Sequence, residues 1–355
     1  MRYFFWPLVL IILALRFYFF FNIPQPYNDG DKIRISSRVT SEPIRYQTSQ
    51  YLKLKGLKIY LPLYPEIHYN DFVVIEGEVA EDSLKKPKLV SFQEDRSFLA
   101  NLRKSLQMIF QKSLPQPHAA LIAGVTIGSK ANLGSDFWEA LKATGTAHVV
   151  VASGMNVTLV AKFIVTILFL FLKRRRAIIL ASIAIWSYAA LAGFDAPIVR
   201  ASIMGSLAFV AQELGRLNAA VRTLLISSWL MLMLKPEWVF DLGFILSFVA
   251  TLSLILFDSR VKSKLGFIPS IIREDLSTSL SAQIGVAPIL FVTFGQFNIL
   301  SPVINALVLW TIVPITIIGM IGGILGLIFE PLGKAVLLLS YPLTSWFIWI
   351  VQIFS

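Results

Sequence analysis

The chain has 355 residues, of which 56% are hydrophobic and only 15% are charged, and its mean hydropathy is +0.70. Soluble globular domains carry about 25% charged residues, so this composition excludes an ordinary soluble domain and indicates an integral membrane protein. The absence of cysteine excludes disulfides and thiolate chemistry. The net charge of +11 is compatible with basic cytoplasmic loops and with nucleic-acid binding.

The chain begins with an apolar stretch, Met1 to Phe21, whose length suits a transmembrane helix. A cleaved signal peptide is the alternative, but no small-residue cleavage site follows Phe21. We therefore predict a retained N-terminal anchor over residues 1–22.

Residues 28–95 are rich in charges of both signs and contain short runs in which apolar and polar residues alternate. Such runs, separated by Gly, Pro, Asn and Asp, predict β-strands, and several short strands in about 70 residues are typical of a small barrel such as the OB-fold. We read the run from Tyr51 to Tyr60 as one strand that could receive single-stranded nucleic acid; the residues concerned are Tyr51, Lys53, Lys55, Lys58 and Tyr60. The alternative is a solvated edge strand whose lysines oppose aggregation.

Residues 96–144 are predicted to be an amphipathic or re-entrant segment. From Ser97 to Leu114 the apolar residues share one helical face and the cations, including Arg103, avoid it, which predicts a helix on the membrane surface. The apolar piece from Ala119 to Ile127 is too short to span a membrane. A second amphipathic piece follows over Asp136 to Ala143.

From residue 145 to residue 355 most of the chain is predicted to lie in the membrane. The candidate spans are Thr146–Leu172, Ala177–Gly193, Ile198–Leu214, Leu224–Leu234, Val239–Phe257, Ser279–Phe294, Pro302–Phe329 and Ala335–Phe354. The seventh is long enough to be one tilted helix or two pieces broken near Pro314. The predicted fold class is therefore mainly α: a polytopic helical membrane protein with broken and amphipathic helices and a small extracytoplasmic, OB-like β-barrel near the N-terminus.

The orientation follows from the basic loops, which collect in the cytoplasm. The run Lys173 to Arg176 is the strongest signal, and the loops near Arg222 and Arg260 then also fall inside, whereas Asp195 falls outside. The same count places the N-terminus in the cytoplasm and the 28–95 domain outside.

Polar residues recur inside the apolar segments, where they are costly and commonly line a path or hold helices together. The run from Gly145 to Thr158 contains His148, Ser153, Gly154 and Asn156. Gly154 weakens the helix, and broken helices at membrane depth occur where protein or water covers the backbone. His148, Ser153 and Asn156 share one face of a continuous helix, which predicts either a path lining or interhelical hydrogen bonds.

A second polar cluster begins at Asp195, which can cap a helix that starts at Pro197. Arg200 lies one turn further and needs a partner in apolar surroundings, and Asp195 is within reach. Arg200 is either a snorkelling cation or a cation that faces a water-filled cavity. Gln283 and Asn305 add neutral polarity in later spans.

Four motifs in this order resemble the ComEC family of competence proteins. They are Gly128 through Thr158, Pro197 through Met204, Leu242 through Thr251, and Ala282 through Pro288 followed by Phe294-Gly295-Gln296 and Asn305. The resemblance implies a channel that carries single-stranded DNA inward across the bacterial cytoplasmic membrane during natural transformation. It covers about Leu114 to the C-terminus, and the N-terminal domain matches the family's OB-like extracytoplasmic domain less well.

The resemblance also assigns positions. The residues that occupy motif positions are His148, Ser153, Gly154, Arg200 and Gln283. Asn156 stands where many relatives have histidine, which argues against a histidine pair that binds metal or relays protons. The predicted DNA path consists of His148, Ser153, Gly154, Asn156, Asp195, Arg200, Gln283 and Asn305.

Many relatives have a C-terminal metallo-β-lactamase-like domain, whereas this sequence ends at Ser355, so we expect a short form without it. The histidines are His68, His118 and His148, far apart in the sequence, whereas a two-metal nuclease needs clustered ligands. We predict no enzymatic activity, no metal and no cofactor. Because the chain lacks a Walker motif, the expected partners are single-stranded DNA, the lipid bilayer, a separate ATP-driven motor and a separate nuclease; the oligomeric state stays open.

Two alternative functions remain open from the sequence. Broken helices and polar residues at mid-membrane also suit a secondary transporter of a small solute or ion. The other alternative is a non-transporting membrane scaffold whose OB-like domain binds DNA or a partner. Polar residues around a path favour the channel, dry helix contacts favour the scaffold, and a narrow dehydrated pocket favours the transporter.

Overall fold

The structure is a computed structural model that describes residues 2–22, 27–40, 43–45, 48–129, 133–150, 154–213, 219–294 and 298–355. The strands are β1 (Lys32–Arg38), β2 (Ile44–Arg45), β3 (Ser49–Leu54), β4 (Leu57–Pro62), β5 (Phe72–Ala80) and β6 (Ser83–Gln93). The helices are α1 (Arg2–Phe21), α2 (Phe98–Ser113), α3 (His118–Ile127), α4 (Ser135–Ala143), α5 (Ala147–Val150), α6 (Gly154–Phe171), α7 (Arg174–Leu191), α8 (Ala196–Glu213), α9 (Ala220–Leu234), α10 (Leu242–Lys264), α11 (Ser270–Phe294), α12 (Ser301–Ile328), α13 (Glu330–Leu338) and α14 (Tyr341–Ile353). A 3-10 helix, Pro236–Phe240, precedes α10.

The N-terminal domain is one mixed sheet with the strand order β1-β5-β6-β4-β3-β2. Neighbouring strands pair antiparallel, except that β4 and β6 are joined in parallel by one bridge between Lys58 and Ser83. One face packs into a core that includes Ile35, Leu52 and Ile75. The described sheet is open, with β1 and β2 at its edges, so the predicted closed barrel is not shown. Among the described residues β2 is two residues long.

The predicted single strand from Tyr51 to Tyr60 is wrong, because this run forms a hairpin. β3 ends at Leu54, β4 begins at Leu57, and Lys55 and Gly56 form the turn with φ values of 48° and 89°. Positive φ at both central residues is the geometry of a two-residue type I′ turn, and Gly56 was the sequence signal for it.

The helical part is built around α3, which sequence analysis described only as too short to span a membrane. Nine of its ten residues are buried, as expected for a helix that is hydrophobic all round. Helices α2, α5, α12 and α14 pack around it. Its residues share one core with others from these helices, such as Phe110 and Phe347.

Helix α2 differs from the predicted surface helix. Its apolar side, with Leu106, Ile109 and Phe110, is buried in the helical core, and Phe98 and Met108 are exposed. Arg103 is buried on the same helix, although the sequence placed it on the polar face.

Within the part of the chain that the structure describes, four helical segments are long and apolar enough to cross a membrane: Ala147–Thr166, Leu242–Lys264, Arg273–Thr293 and Ser301–Ile328. The pair α13 and α14, bent by 48°, could be a fifth span. The predicted seventh span is the single helix α12, which continues through Pro314. The predicted last span is broken into α13 and α14, with Pro342 in the first turn of α14. These helices indicate a multi-pass membrane protein.

Helix α1 packs beside α9 in a parallel orientation. Trp229 Nε1 donates to the Val9 carbonyl (3.1 Å), and Arg16 Nε donates to the Met233 carbonyl (3.3 Å). Since residue numbers increase in the same direction along both helices, the two helices begin on the same side.

Candidate functional site

Arg200 is the charged centre of the helical site. It lies in the second turn of α8 and is mostly buried. Its Nη1 donates to the Ser247 carbonyl and to the Thr251 hydroxyl oxygen, both on α10. The Arg200 Nε is buried without a hydrogen-bond partner among the described residues. The partners found on α10 are therefore neutral oxygens, which hold the cation without neutralising it.

Gly154, the first residue of α6, lies directly against Arg200. A Cβ at this position would lie 2.7 Å from the Arg200 Nη2 and 3.3 Å from the Ala201 Cβ. Helices α6, α8 and α10 thus meet at the guanidinium, and glycine permits that approach. Two residues from separate sequence motifs, Gly154 and Arg200, are brought together here.

Asn156 is fully buried two residues further along α6. Its Nδ2 donates to the Val125 carbonyl of α3 (2.9 Å), so it holds α6 against the central helix. The phenol of Tyr188 on α7 faces it. Neither the Tyr188 hydroxyl nor the Asn156 Oδ1 has a partner of good hydrogen-bond geometry among the described residues.

Asn305 belongs to a separate contact on α12. It is 4% exposed, and its Nδ2 donates to the Ser301 Oγ (3.3 Å). Gly145 lies against the same serine, because a Cβ there would be 2.5 Å from the Ser301 Oγ. Asn298 Nδ2 donates to the Ala143 carbonyl (2.8 Å). This cluster joins the start of α12 to the turn between α4 and α5.

The remaining predicted path residues lie on other elements. His148 is exposed, and its Nδ1 lies 2.9 Å from the Gly145 carbonyl. Gln283 is half-buried on α11. Asp195 precedes α8, where its carbonyl accepts from the Ile198 amide (2.9 Å). Ser153 lies outside the described residues. Two clefts that the structure describes are lined by other residues.

The hairpin brings the predicted receiving residues of the N-terminal sheet domain together. The side chains of Leu52, Leu54, Leu57 and Ile59 point into the core. Tyr51 pairs in register with Tyr60, and Lys53 with Lys58, on the opposite face.

The two tyrosine rings lie with their centroids 5.2 Å apart, and Lys55 is exposed in the turn at the end of the hairpin. We call Tyr51, Lys53, Lys55, Lys58 and Tyr60 the hairpin face.

The hairpin face differs in charge from the rest of the sheet. On β1, β5 and β6 cations stand beside acids in register: Arg34 and Lys88 both face Glu76, and Arg34 forms an ion pair with it (3.7 Å). On the hairpin two lysines, Lys53 and Lys58, stand directly opposite each other. Like charges at opposed positions destabilise a strand pair, so this face suits an anionic ligand.

A family model described as "Competence protein" matches residues 125–355 of the chain. This is more than half of the sequence. The chain therefore belongs to the competence protein family. The matched segment contains Gly154, Asn156, Arg200 and the α10 oxygens that hold the guanidinium.

This competence protein is also similar to ComE operon protein 3 of Bacillus subtilis (strain 168), with 29% identity over 246 residues. The alignment covers 68% of the chain and 29% of that relative, so the chain spans less than a third of the relative's length. No solved structure matches the chain.

Sequence reasoning missed one residue of the competence protein, Arg103. Its position three residues before Leu106 and seven before Phe110 was a signal that it lies on the buried side of α2. Its guanidinium is described below. Among the described residues no group of three metal-ligating side chains could hold a metal ion.

Proposed function

We propose that this chain is the membrane component of DNA uptake in natural competence and conducts single-stranded DNA inward across the bacterial cytoplasmic membrane. The observation that carries the proposal is the junction of Gly154, Arg200 and α10 inside the competence segment. A guanidinium whose partners among the described residues are neutral oxygens retains its affinity for phosphate, because Arg–phosphate pairs are charge-assisted and bidentate. One cation among neutral groups also lets the phosphate leave, as conduction requires.

In this proposal the described contacts belong to a closed state. Asn156 and Arg200 bind oxygens of neighbouring helices, so a strand passes only after α6 moves away from α3 and α8. The Arg200 Nε and the Asn156 Oδ1, which lack a hydrogen-bond partner within the described part of the chain, are groups that a passing nucleotide can satisfy.

The hairpin face of the outer domain receives the strand in the proposal. Tyr51 and Tyr60 provide rings for base stacking, and Lys53, Lys55 and Lys58 attract phosphates. The strand-rich domain then behaves as an OB-like module, although its described sheet is open.

We place the outer domain outside the cell and the N-terminus in the cytoplasm. The parallel packing of α1 and α9 puts the start of α1 on the side of Arg222, which belongs to a predicted cytoplasmic loop. Energy and strand degradation come, in the proposal, from a separate motor and a separate nuclease, and this chain is not an enzyme.

The test is uptake of labelled single-stranded DNA in cells whose own copy is replaced by Arg200→Ala or Asn156→Leu. We expect at least a tenfold loss of uptake at matched protein levels, because each change removes a proposed path group. Arg222→Ala, at an exposed position on α9, is the matched control and should leave uptake unchanged. Unchanged uptake in both Arg200→Ala and Asn156→Leu contradicts the proposed path.

A non-transporting scaffold is the second candidate. It is favoured by the fact that Asn156 and Arg200 lie in helix contacts rather than around an open path. A scaffold predicts that Arg200→Ala lowers the stability of the protein and that uptake falls only in proportion to the amount of protein. Uptake per molecule therefore distinguishes the two candidates.

A further inference from the structure

A buried arginine lies where the sheet domain meets the helices. Arg103 on α2 is 9% exposed. Its Nη1 donates to the Leu191 carbonyl (2.7 Å) and its Nη2 to the Gly128 carbonyl (3.4 Å). Leu191 ends α7 and Gly128 caps α3, and cations are stabilising at helix C-termini, where carbonyls lack intrahelical partners. Arg103 therefore ties α2 to the ends of two other helices.

The outer domain also reaches the place where Arg103 binds the ends of α3 and α7. Gly193, in the turn between α7 and α8, has a φ of +92°, and a Cβ there would lie 3.7 Å from the Arg103 Nη1 and 3.9 Å from the Tyr69 Cδ2. Tyr69 lies between β4 and β5. Burial raises the pKa of the Tyr69 phenol, and the nearby charge of Arg103 opposes that rise. The domain, α2 and the α7–α8 turn thus meet at one place.

A narrow cleft runs along the rest of this junction. Its lining residues are His68, Tyr69, Asp71, Asp95, Ala100, Arg103, Lys104 and Gln107. Asp71 holds the backbone on the sheet-domain side of the cleft, because its carboxylate accepts from the backbone amides of His68 and Asp95 (2.7 Å each). Residues of the sheet domain line one wall of the cleft and residues of α2, Arg103 among them, line the other.

The helix ends that bind Arg103 are also connected to the proposed path residues. On α3, the Val125 carbonyl that binds Asn156 lies three residues before Gly128. The turn after α7 leads into α8, which carries Arg200. A shift of either helix end would therefore displace a proposed path residue.

We propose that Arg103 is a positioning residue that sets the orientation of the outer domain on the helical part and, through α3 and the α7–α8 turn, the places of Asn156 and Arg200. Its effect on transport rests on the proposed function, whereas its effect on orientation does not. A planar guanidinium suits this role because it donates to two carbonyls at once.

Orientation is measured first, in the full-length protein. The chain has no cysteine, so Ser36→Cys on β1 and Lys142→Cys on α4, both exposed, accept nitroxide labels. Double electron–electron resonance should give a narrow distance distribution, and Arg103→Gln should broaden it at least twofold. Lys112→Gln removes an exposed cation from the same helix and should leave the distribution unchanged. An unchanged distribution in folded Arg103→Gln overturns the proposal.

Arg103→Lys is the second variant if Arg103→Gln does not fold. The lysine keeps the positive charge but lacks the planar guanidinium that donates to two carbonyls at once. We expect broadening here too, and a distribution as narrow as that of the natural sequence overturns the proposal.

Transport is measured second. Arg103→Gln should lower uptake at least tenfold, and a thiol cross-linker between His68→Cys and Ala100→Cys, which line opposite walls of the cleft, should restore it to within threefold. A purely structural role within the helical bundle predicts no such rescue, so failure of the cross-link to restore uptake contradicts positioning. If Arg200→Ala leaves uptake unchanged while Arg103→Gln broadens the distances, the proposed function fails and the orientation role stands.

Discussion

Polar side chains inside an apolar bundle are tolerated when the protein completes their hydrogen bonds. Asn156 and Arg200 meet this condition only in part: each donates to a neighbouring helix, and each keeps one buried atom without a partner among the described residues. Such an atom costs about 1–3 kcal/mol. In the proposed function, a passing nucleotide forms hydrogen bonds with these atoms when the helices separate, which recovers this cost.

The contact between Gly154 and Arg200 leads to a prediction about stability. Gly154→Ala places a methyl group 2.7 Å from the present Arg200 Nη2 position, so the guanidinium must leave its α10 partners. We expect a loss of about 1–3 kcal/mol in the free energy of unfolding, measured by thermal unfolding in detergent. Gly134→Ala is the control, because nothing lies within 4 Å of that Cβ. In an Arg200→Ala background the cost of Gly154→Ala should largely vanish, and additive costs would contradict the contact.

At the scale of elements, one turn determines which side chains of the sheet domain share a face. As a single strand, the run from Tyr51 to Tyr60 would divide its lysines and tyrosines between two faces, since side chains alternate along a strand. The turn at Lys55 and Gly56 instead folds the run back, so that Tyr51, Lys53, Lys58 and Tyr60 share one face. Two tyrosines and two opposed lysines then form one compact surface, which in the proposed function stacks on bases and contacts phosphates.

The hairpin face predicts a salt-dependent interaction. Lys58→Gln should weaken binding of a single-stranded oligonucleotide to the full-length protein and reduce the slope of log K against log salt by about 0.7, as expected for the loss of one phosphate contact. Lys88→Gln, at a position that faces Glu76 in register, should leave the slope nearly unchanged. The measurement is a titration by fluorescence anisotropy at several salt concentrations. Equal effects of the two substitutions would show that the sheet binds DNA only through its total charge.

At the scale of the whole molecule, the first helix links the orientation of the outer domain to that of the bundle. Because α1 runs parallel to α9, the chain enters the outer domain on the side where α9 ends. The basic run from Lys173 to Arg176 lies at the start of α7, two helices away along the chain. Basic residues collect on the cytoplasmic side, so the proposed topology has the sheet and the basic run on opposite sides of the membrane.

The orientation can be measured directly, because the natural chain contains no cysteine. Lys55→Cys in the hairpin turn should react with a membrane-impermeant maleimide on intact spheroplasts. Arg175→Cys should react only after the membrane is permeabilised, since we place it in the cytoplasm. Both positions are exposed, so a difference in labelling reports the side of the membrane. The reverse pattern would invert the proposed topology.

The sequence by itself determined the membrane class, the strand-rich segment, the family resemblance and several helix ends, because these depend on composition, local periodicity and motif order. The cap of α10 is an example of a local signal: Asp241 stands directly before the helix, and its Oδ1 accepts from the Phe244 amide (2.8 Å). Local signals of this kind act over a few residues and need no knowledge of the rest of the chain.

Only the tertiary structure decided which polar residues meet. The hydrogen-bond partners of Arg103 lie 88 and 25 residues away in the sequence, and the helix ends that accept them exist only when α3 and α7 pack against α2. For the same reason the sequence predicted one path from His148 to Asn305 but not which of its residues touch, and the structure shows Gly154 against Arg200 and Asn305 against Ser301. Contacts between distant helices depend on packing, and no local pattern encodes them.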